Sequence, residues 1–453
     1  MSKTVTILGA GESGTGAALL AKGKGLNVFV SDQGIIQEKY KAELVRASIA
    51  FEEGAHSLDR VLQSDLIIKS PGIPDKAEVI KKAKAKGIEL VDELEFAFRY
   101  LTGKVIAITG TNGKTTTTLL THHLLKSAGY RVALAGNVGE SLARKVAREQ
   151  HDWYVVEISS FQLDGTKAFH PVIGILLNIT PDHLDRYDYR MENYIASKFQ
   201  LVRNMTSADH FIFFQDDPVT GGEVKKRSLA VGQTTVSLSD SNASAHAHGS
   251  VMNFQVGGQN FSIDQRETTL KGPHNLINTM SAVSAALHAG VSEGDIRLGL
   301  KTFKNAPHRL EPVGTVQGVE FVNDSKATNV DSVVYALGSY EQPLIWIAGG
   351  IDKGNDYTLI QKEVRKKVKV LICLGADNAK LRDFFINLVP VIHETQSVKE
   401  AVSLALREAR KGDVVLLSPA CASFDLFKNY EDRGTQFREA VQALKQEMEK
   451  TTA

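Results

Sequence analysis

The sequence predicts an α/β protein of three domains, and three observations predict it. The chain has 453 residues, which at roughly 150 residues per domain points to three. Short β-branched runs recur along it, each followed by a Gly- or Pro-bearing turn and then a helix-like pattern, as in parallel βα units. Glycine reaches 37 residues while aromatics make up 7%, a balance that suits many tight strand-to-helix turns.

The first group of strands is Val5–Leu8, Val28–Val30, Leu66–Ile68 and Leu90–Val91. The second is Val105–Ile108, Val132–Leu134, Tyr154–Ile158 and Ile173–Asn178. The third is Phe321–Asn323, Leu344–Ala348, Val370–Leu374 and Val414–Leu417. These groups set the expected domains at 1–96, 97–304 and 305–453. Between the second and third groups, Ser228 to Ile263 is rich in Ser, Thr, Gly and Asn and is expected to form a short antiparallel appendage or long loops. No sequence repeat accompanies the threefold architecture.

Composition narrows the function. With 53 Lys+Arg against 52 Asp+Glu the formal charge is +1, which argues against coating nucleic acid or an anionic membrane through bulk charge. A single anionic ligand remains open. Cys373 and Cys421 cannot build a disulfide framework and read as buried free thiols. Val5–Leu8 before Gly9 is too short for a signal-peptide core, and the longest apolar run, Val172–Leu177, is far below a membrane span. A cytoplasmic protein without membrane insertion is expected.

Ligands of open α/β sheets bind outside the carboxyl ends of the strands. Here those ends read Gly9–Gly14, Asp32, Ser70-Pro71-Gly72, Gly110–Thr116, Gly136-Asn137, Glu157 and Asn178–Asp185. In the third group they read Asp324-Ser325-Lys326, Gly349–Lys353 and Ser418–Tyr430. Three ligand-bearing domains facing one cleft is the simplest geometry.

The strongest motif is Thr109-Gly110-Thr111-Asn112-Gly113-Lys114-Thr115-Thr116, directly after a strand and ahead of a helix with Leu120 and Leu124 on one face. Glycines let backbone N–H groups converge on phosphate oxygens, and the helix N-terminus adds partial positive charge. Lys114 would neutralise β/γ-phosphates and Thr115 would offer its hydroxyl to Mg²⁺. Ile108 stands where the full G-x-x-x-x-G-K-[ST] spacing requires glycine, so the loop is a compact variant; the bland alternative is a Gly-rich turn before a helix.

Glu157 ends an apolar strand, where a carboxylate is costly unless it faces a cation; a surface strand end is the alternative. His183 could ligate a metal near Asp182 and Asp185, or the segment is turn chemistry with a capping Asp. On pattern alone Lys198 reads as a solvated helix lysine. Gly9-Ala10-Gly11-Glu12-Ser13-Gly14 matches the dinucleotide fingerprint G-x-G-x-x-G, with Asp32 following 18 residues past Gly14. Its default reading is hydride transfer, but the loop at 110–116 asks for a nucleoside triphosphate, so one domain for a nucleotide-linked substrate and another for ATP accounts for both. His246 and His248 read as exposed loop, and His122 and His123 as packing or surface residues.

Together with Glu157-Ile158-Ser159-Ser160-Phe161-Gln162-Leu163, Asn178–Asp185, His274-Asn275, His308-Arg309 and Asn323–Asn329, the phosphate loop resembles the ATP-dependent Mur ligases. The resemblance runs from Gly9 to Gly434. It implies a Rossmann-like N-terminal domain, a central P-loop ATPase-type domain and a C-terminal Rossmann-like α/β domain. Ser418-Pro419-Ala420-Cys421-Ala422-Ser423-Phe424-Asp425, with Asn429-Tyr430 and Arg433-Gly434, is similar to the members that add D-glutamate to UDP-N-acetylmuramoyl-L-alanine. Diamino-acid-adding members carry Asp-Asn-Pro-Arg, absent here, and folylpolyglutamate synthases carry Gly-Lys-Gly-Ser in place of Gly-Lys-Thr-Thr.

The resemblance implies that ATP activates a carboxylate as an acyl phosphate, which the amine of D-glutamate attacks. It implies that Gly110, Thr111, Asn112, Gly113, Lys114, Thr115 and Thr116 hold the ATP phosphates. Asn275, Arg309 and Asp324 would meet adenine, phosphate and ribose. Two Mg²⁺ ions are implied, one on Thr115 and Glu157 and a second on His183, with Lys198 carbamylated. Ser13, Asp32, Ser70, Gly72 and Asn137 would hold the UDP-sugar substrate. Lys326 and Thr328 would lie over the γ-phosphate and acceptor, and Thr328, Lys353, Ser423 and Tyr430 would receive D-glutamate, in a monomer. Tyr430 stands where phenylalanine is familiar. Glu12-Ser13 is more acidic than the family's leucine-threonine-like pair, so Glu12 is expected to point away from the pyrophosphate.

Overall fold

Each of the three strand groups builds its own sheet. The structure is a computed structural model that describes residues 3–452. The first sheet runs in the order Ala50–Glu53, Asn27–Asp32, Thr4–Leu8, Leu66–Lys69, Glu89–Asp92, every pair parallel. Val5, Ile7, Val30 and Ile67 are completely buried, as expected of strands covered on both faces. The strand order reverses beside Thr4–Leu8, and Gly9–Gly14 follow that strand into the resulting crevice.

The central sheet has nine strands, with Lys104–Thr109 held between Ile173–Leu176 and Trp153–Glu157, both parallel to it. The Ser228–Ile263 stretch is antiparallel at its outer strands, as one of the two expected alternatives, and not long loops, but it continues the central sheet through parallel strands. Gly232–Ser237 pairs parallel with His210–Phe214, Ala245–His248 pairs parallel with Gly232–Ser237, and Val251–Val256 and Gln259–Asp264 close the edge antiparallel. The polar composition hid a period-two pattern in which Met252, Phe254 and Val256 are buried. His246 therefore lies in a strand, with Nδ1 3.2 Å from the Ala243 carbonyl.

The third sheet runs Glu311–Val316, Val319–Asn323, Val414–Ala420, Leu344–Gly349, Val368–Leu374, Val391–Thr395. Its first pair is a hairpin whose turn residues Gln317 and Gly318 have φ of 50° and 79°, the left-handed pair that suits strand twist. Trp346, fully buried, donates Nε1–H to the Ser418 carbonyl at 2.7 Å. Cys373 and Cys421 are buried and unpaired with each other. Ala50–Glu53, Glu311–Val316 and Val391–Thr395 escaped the sequence reading because they are edge strands with mixed polar patterns; His210–Phe214 escaped it despite being apolar.

The first and central sheets belong to one compact unit, which extends to Thr269 and includes Leu276–Phe303; Leu270–Asn275 and the chain from Lys304 form the other. Within the first unit, helix Glu12–Gly23 packs on helix Leu142–Arg148 so closely that a Cβ on Gly16 would lie 2.1 Å from Ser141 Oγ. Two buried carboxylates just past the end of the first sheet, Glu93 and Glu95, reach into the central domain. Glu93 accepts from Ala143 N at 2.5 Å, and Glu95 accepts from the amides of Lys167, Ala168 and Phe169 at 2.8–3.1 Å.

Burial pushes the Glu93 carboxyl up to about 7 from an ordinary value of 4.5. Between those values the folded protein holds a proton that the unfolded chain has released, so stability falls as pH rises across that window and is level outside it. Glu93→Gln keeps an acceptor for Ala143 N–H but removes this slope. Urea unfolding at a series of pH values should show the variant gaining on the wild type between pH 4.5 and 7, by on the order of 3 kcal/mol.

Candidate active site

Strand Lys104–Thr109 ends in Gly110 with φ of 151°, and helix Lys114–Ser127 begins after Gly113 with φ of 86°. A Cβ on Gly113 would lie 2.4 Å from Asn278 Oδ1, so glycine is required there by space as well as by φ. Asn178, at the end of the neighbouring strand, pins the loop. Its Oδ1 accepts from Thr111 N at 3.1 Å and Asn112 N at 2.8 Å, while Nδ2 donates to Asn112 O at 3.1 Å. Sequence reasoning placed Asn178 in a motif but assigned it no work. Thr115 and Thr116 are buried at the helix start.

Two lysines converge on this loop. Lys114 Nζ donates to Gly110 O at 2.8 Å and Thr111 O at 2.7 Å, and Lys198 Nζ donates to the same Gly110 O at 2.9 Å. Lys198 is 1% exposed, which corrects its reading as a solvated lysine: the helix Met191–Phe199 turns that side inward. Its ammonium sits 4.6 Å over the Tyr194 ring and pairs with no carboxylate among the described residues. Burial first, and then the Lys114 charge, push its pKa well below the ordinary lysine value.

Lys114 and Lys198 share a cavity of about 380 Å³ with Ser13, Gly72, Asn137 and His183. His183 has φ of 52°, and its ring stands edge-on to Phe161 at 5.3 Å with Nε2 3.6 Å from Asp182 Oδ2. Glu157, 2% exposed at its strand end, accepts from Asn137 Nδ2 at 3.1 Å through Oε1, while its buried Oε2 has no hydrogen-bond donor among the described residues. Asp32, assigned from sequence to the UDP-sugar seat, bonds backbone amides on both sides. Its Oδ2 accepts from Ala10 N at 2.6 Å and its Oδ1 from Gly34 N at 2.8 Å, so it ties the glycine turn to its own loop. The buried Ser70 Oγ would lie 2.6 Å from a Cβ on Gly9. A larger cavity of about 870 Å³ is lined by Pro71, Phe161 and Asp185 from the sequence motifs, together with Asp92, Asp164 and Arg186.

The second unit brings another set together. Asp324, 7% exposed, accepts from Ser418 Oγ at 2.9 Å and Leu310 N at 3.2 Å, and burial pushes its carboxyl up to about 7. The charges of Arg309 and, more weakly, Arg433 oppose that shift. The Lys326 ammonium lies 5.3 Å over the Tyr430 ring, which His308 meets edge-on at 6.3 Å. Thr328 is half-buried beside Lys326, its N–H donating to the Lys326 carbonyl at 3.0 Å. Ser423 is buried and Lys353 is exposed. Asn275 Nδ2 donates to Lys271 O at 2.8 Å. Arg433, read only as part of a motif, is 1% exposed and bonds Ser325 O at 2.9 Å and the Gly349 and Cys421 carbonyls at 3.3 Å. It thereby joins the carboxyl ends of three strands.

Three family models match the chain. They are a MurD-like N-terminal domain of Mur ligases over residues 3–92, the Mur ligase middle domain over 108–286, and the Mur ligase glutamate ligase domain over 308–421. A UDP-N-acetylmuramoylalanine–D-glutamate ligase of Cytophaga hutchinsonii is 51% identical, over 97% of this chain and 99% of that protein. The enzyme of the same name from Bacteroides fragilis is 49% identical over 98% of this chain and 100% of its own. Among solved structures, a pseudomurein peptide ligase type C from Methanothermus fervidus superposes with a TM-score of 0.64 at 20% identity, covering 98% of this chain and 100% of that one. A MurF ligase from Thermotoga maritima in complex with ADP gives 0.61 at 15% identity, covering 94% and 96%. With matching domains in this order along one α/β framework, the chain belongs to the Mur ligase family.

Proposed function

We propose that the protein is an ATP-dependent amide ligase that joins D-glutamate to UDP-N-acetylmuramoyl-L-alanine through an acyl phosphate, in peptidoglycan precursor synthesis. The observation that carries this reading is the meeting of Lys114 and Lys198 on one carbonyl, in a cavity lined also by Ser13 and Gly72 from the helix and turn that follow strands of the first sheet. A phosphate loop there faces the glycine-rich end of a second nucleotide-type domain, so phosphoryl donor and acceptor would meet. The choice of D-glutamate is supported by relatives about half identical from end to end.

In this reading ATP gives its γ-phosphoryl group to the free carboxylate of the substrate. The amine of D-glutamate attacks the acyl carbon, loses a proton, and phosphate leaves as the amide forms. Such a reaction needs positioning and charge neutralisation rather than an enzyme nucleophile. Lys114 and the loop 110–116 face the ATP phosphates; Asn275, Arg309 and Asp324 take its adenine, phosphate and ribose. Ser13, Asp32, Ser70, Gly72 and Asn137 seat the UDP-sugar, Asp32 through the turn it anchors. Lys326 and Thr328 face the γ-phosphate and acceptor, and Thr328, Lys353, Ser423 and Tyr430 take D-glutamate. We set the working domains at 1–96, 97–304 and 305–453, in a cytoplasmic monomer; no described helix is long and apolar enough to cross a membrane.

Thr115, Glu157 and His183 would hold Mg²⁺, two ions in all. The residues fit, because Mg²⁺ takes few protein ligands beside water and substrate phosphates, and the unbonded buried Oε2 of Glu157 is an oxygen left for a cation. When bound, Mg²⁺ neutralises charge on the transferring phosphoryl group. Lys198 suits carbamylation: its depressed pKa favours the neutral amine, which adds CO₂ and releases one proton to become an anion.

Phosphate release with UDP-N-acetylmuramoyl-L-alanine should require D-glutamate, with L-glutamate and L-lysine inactive; turnover with L-lysine alone would overturn the reading. Lys114→Ala should lower kcat at least about 100-fold while calorimetry finds UDP-substrate affinity within about twofold of wild type. Carbon-13 bicarbonate should give the wild type a carbamate resonance that Lys198→Arg lacks, and the variant should lose about 100-fold in kcat.

A further inference from the structure

Helix Glu12–Gly23 opens with an acid at the position where a glycine-rich turn presents its amides to phosphate. The structure shows where that charge goes. Glu12 Oε1 accepts from Ser141 N at 3.0 Å and from Arg144 Nε at 2.7 Å. Burial pushes its carboxyl up, but the Arg144 guanidinium and the Ser141 amide override it and hold the pKa below the ordinary glutamate value. Arg144 is itself 2% exposed and also bonded to Glu43, so the partner is fixed.

Ser141 ends a short loop whose other end is just as firmly held. Gly136, with φ of 100°, starts it, and a Cβ there would lie 2.2 Å from the Glu157 carbonyl. Gly136 N donates to Glu140 O at 3.0 Å and Asn137 N to Glu157 O at 2.9 Å. Asn137 Nδ2 then donates to Glu157 Oε1 at 3.1 Å, leaving Oε2 as the unbonded oxygen. The loop 136–141 thus hangs between Glu12 in the first domain and Glu157 in the central one.

We infer that Glu12 is a positioning residue that fixes the 136–141 loop and, through Asn137, the aim of the Glu157 carboxylate, so that the UDP-substrate seat and the cation site are set together. Without Glu12, the Ser141 amide loses its acceptor and a buried guanidinium loses one of its two carboxylates. The loop is then held at its Gly136 end alone, and the Asn137 side chain loses part of the support that aims it at Glu157. The inference rests on the ligase reading for the identity of the two ligands.

The test measures binding. Mn²⁺ with a non-hydrolysable ATP analogue is titrated by electron paramagnetic resonance, and UDP-N-acetylmuramoyl-L-alanine by calorimetry, on wild type, Glu12→Ala, Glu12→Gln and Asn137→Ala. Glu12→Ala should weaken both ligands about fivefold, and Glu12→Gln, which keeps an acceptor for Ser141, should recover most of the loss. Asn137→Ala should weaken Mn²⁺ about tenfold, and adding Glu12→Ala to it should cost no more. Equal losses in both backgrounds, or wild-type affinities in Glu12→Ala protein that is merely less stable, would overturn the inference. Because the readouts are equilibria, absence of turnover with D-glutamate would count against the ligase reading alone.

Discussion

Two lysine side chains end on the carbonyl oxygen of Gly110, and the centre of the first unit depends on that arrangement. One of them, Lys198, is buried with no paired carboxylate among the described residues, a condition that costs free energy unless the group is neutral or a ligand compensates it. The rest of the neighbourhood is built to hold this geometry. Asn178 fixes the loop backbone, Asn278 crowds Gly113, and Tyr194 lies under the Lys198 ammonium while facing Thr111 Oγ1 at 3.2 Å. Two lysines, backbone amides and a buried Glu157 oxygen with no donor among the described residues meet around this loop, and the ligase reading rests on that chemistry.

The formal charge of +1 hides this organisation. Acids do much of the structural joining within the first unit: Glu12, Glu93 and Glu95 reach from the first domain to backbone amides of the central one. Carboxylates spent on N–H groups satisfy buried donors, and their own charge is compensated by those amides or, at Glu93, favours the protonated form. In the second unit the same economy runs through a cation, since Arg433 gathers carbonyls from three strand ends around the segment that carries Ser423 and Tyr430.

Much of this was legible from residue order. The strand ends, the compact phosphate loop and the glycine-rich turn follow from short-range rules, because a Gly-Lys-Thr register after a β-branched run has few other uses. Lys198 was not legible by pattern, since a lysine on a helix is ordinarily solvated and only packing shows which face turns inward. Glu12 was legible as an oddity, but its two partners lie 129 and 132 residues away. The edge of the central sheet was misread for the opposite reason, as polar composition outweighed an alternation that burial reveals.

By itself, then, the sequence determined the fold class and the family and put the Gly-Lys-Thr loop at a strand end, because strand–turn–helix order and the order of motifs are written along the chain. Tertiary structure alone decided which lysine is buried, which oxygen of Glu157 is unbonded and where the Glu12 charge is spent. Those properties arise from contacts between distant segments, and it is burial away from water that gives a charge or an unbonded oxygen its chemical consequence.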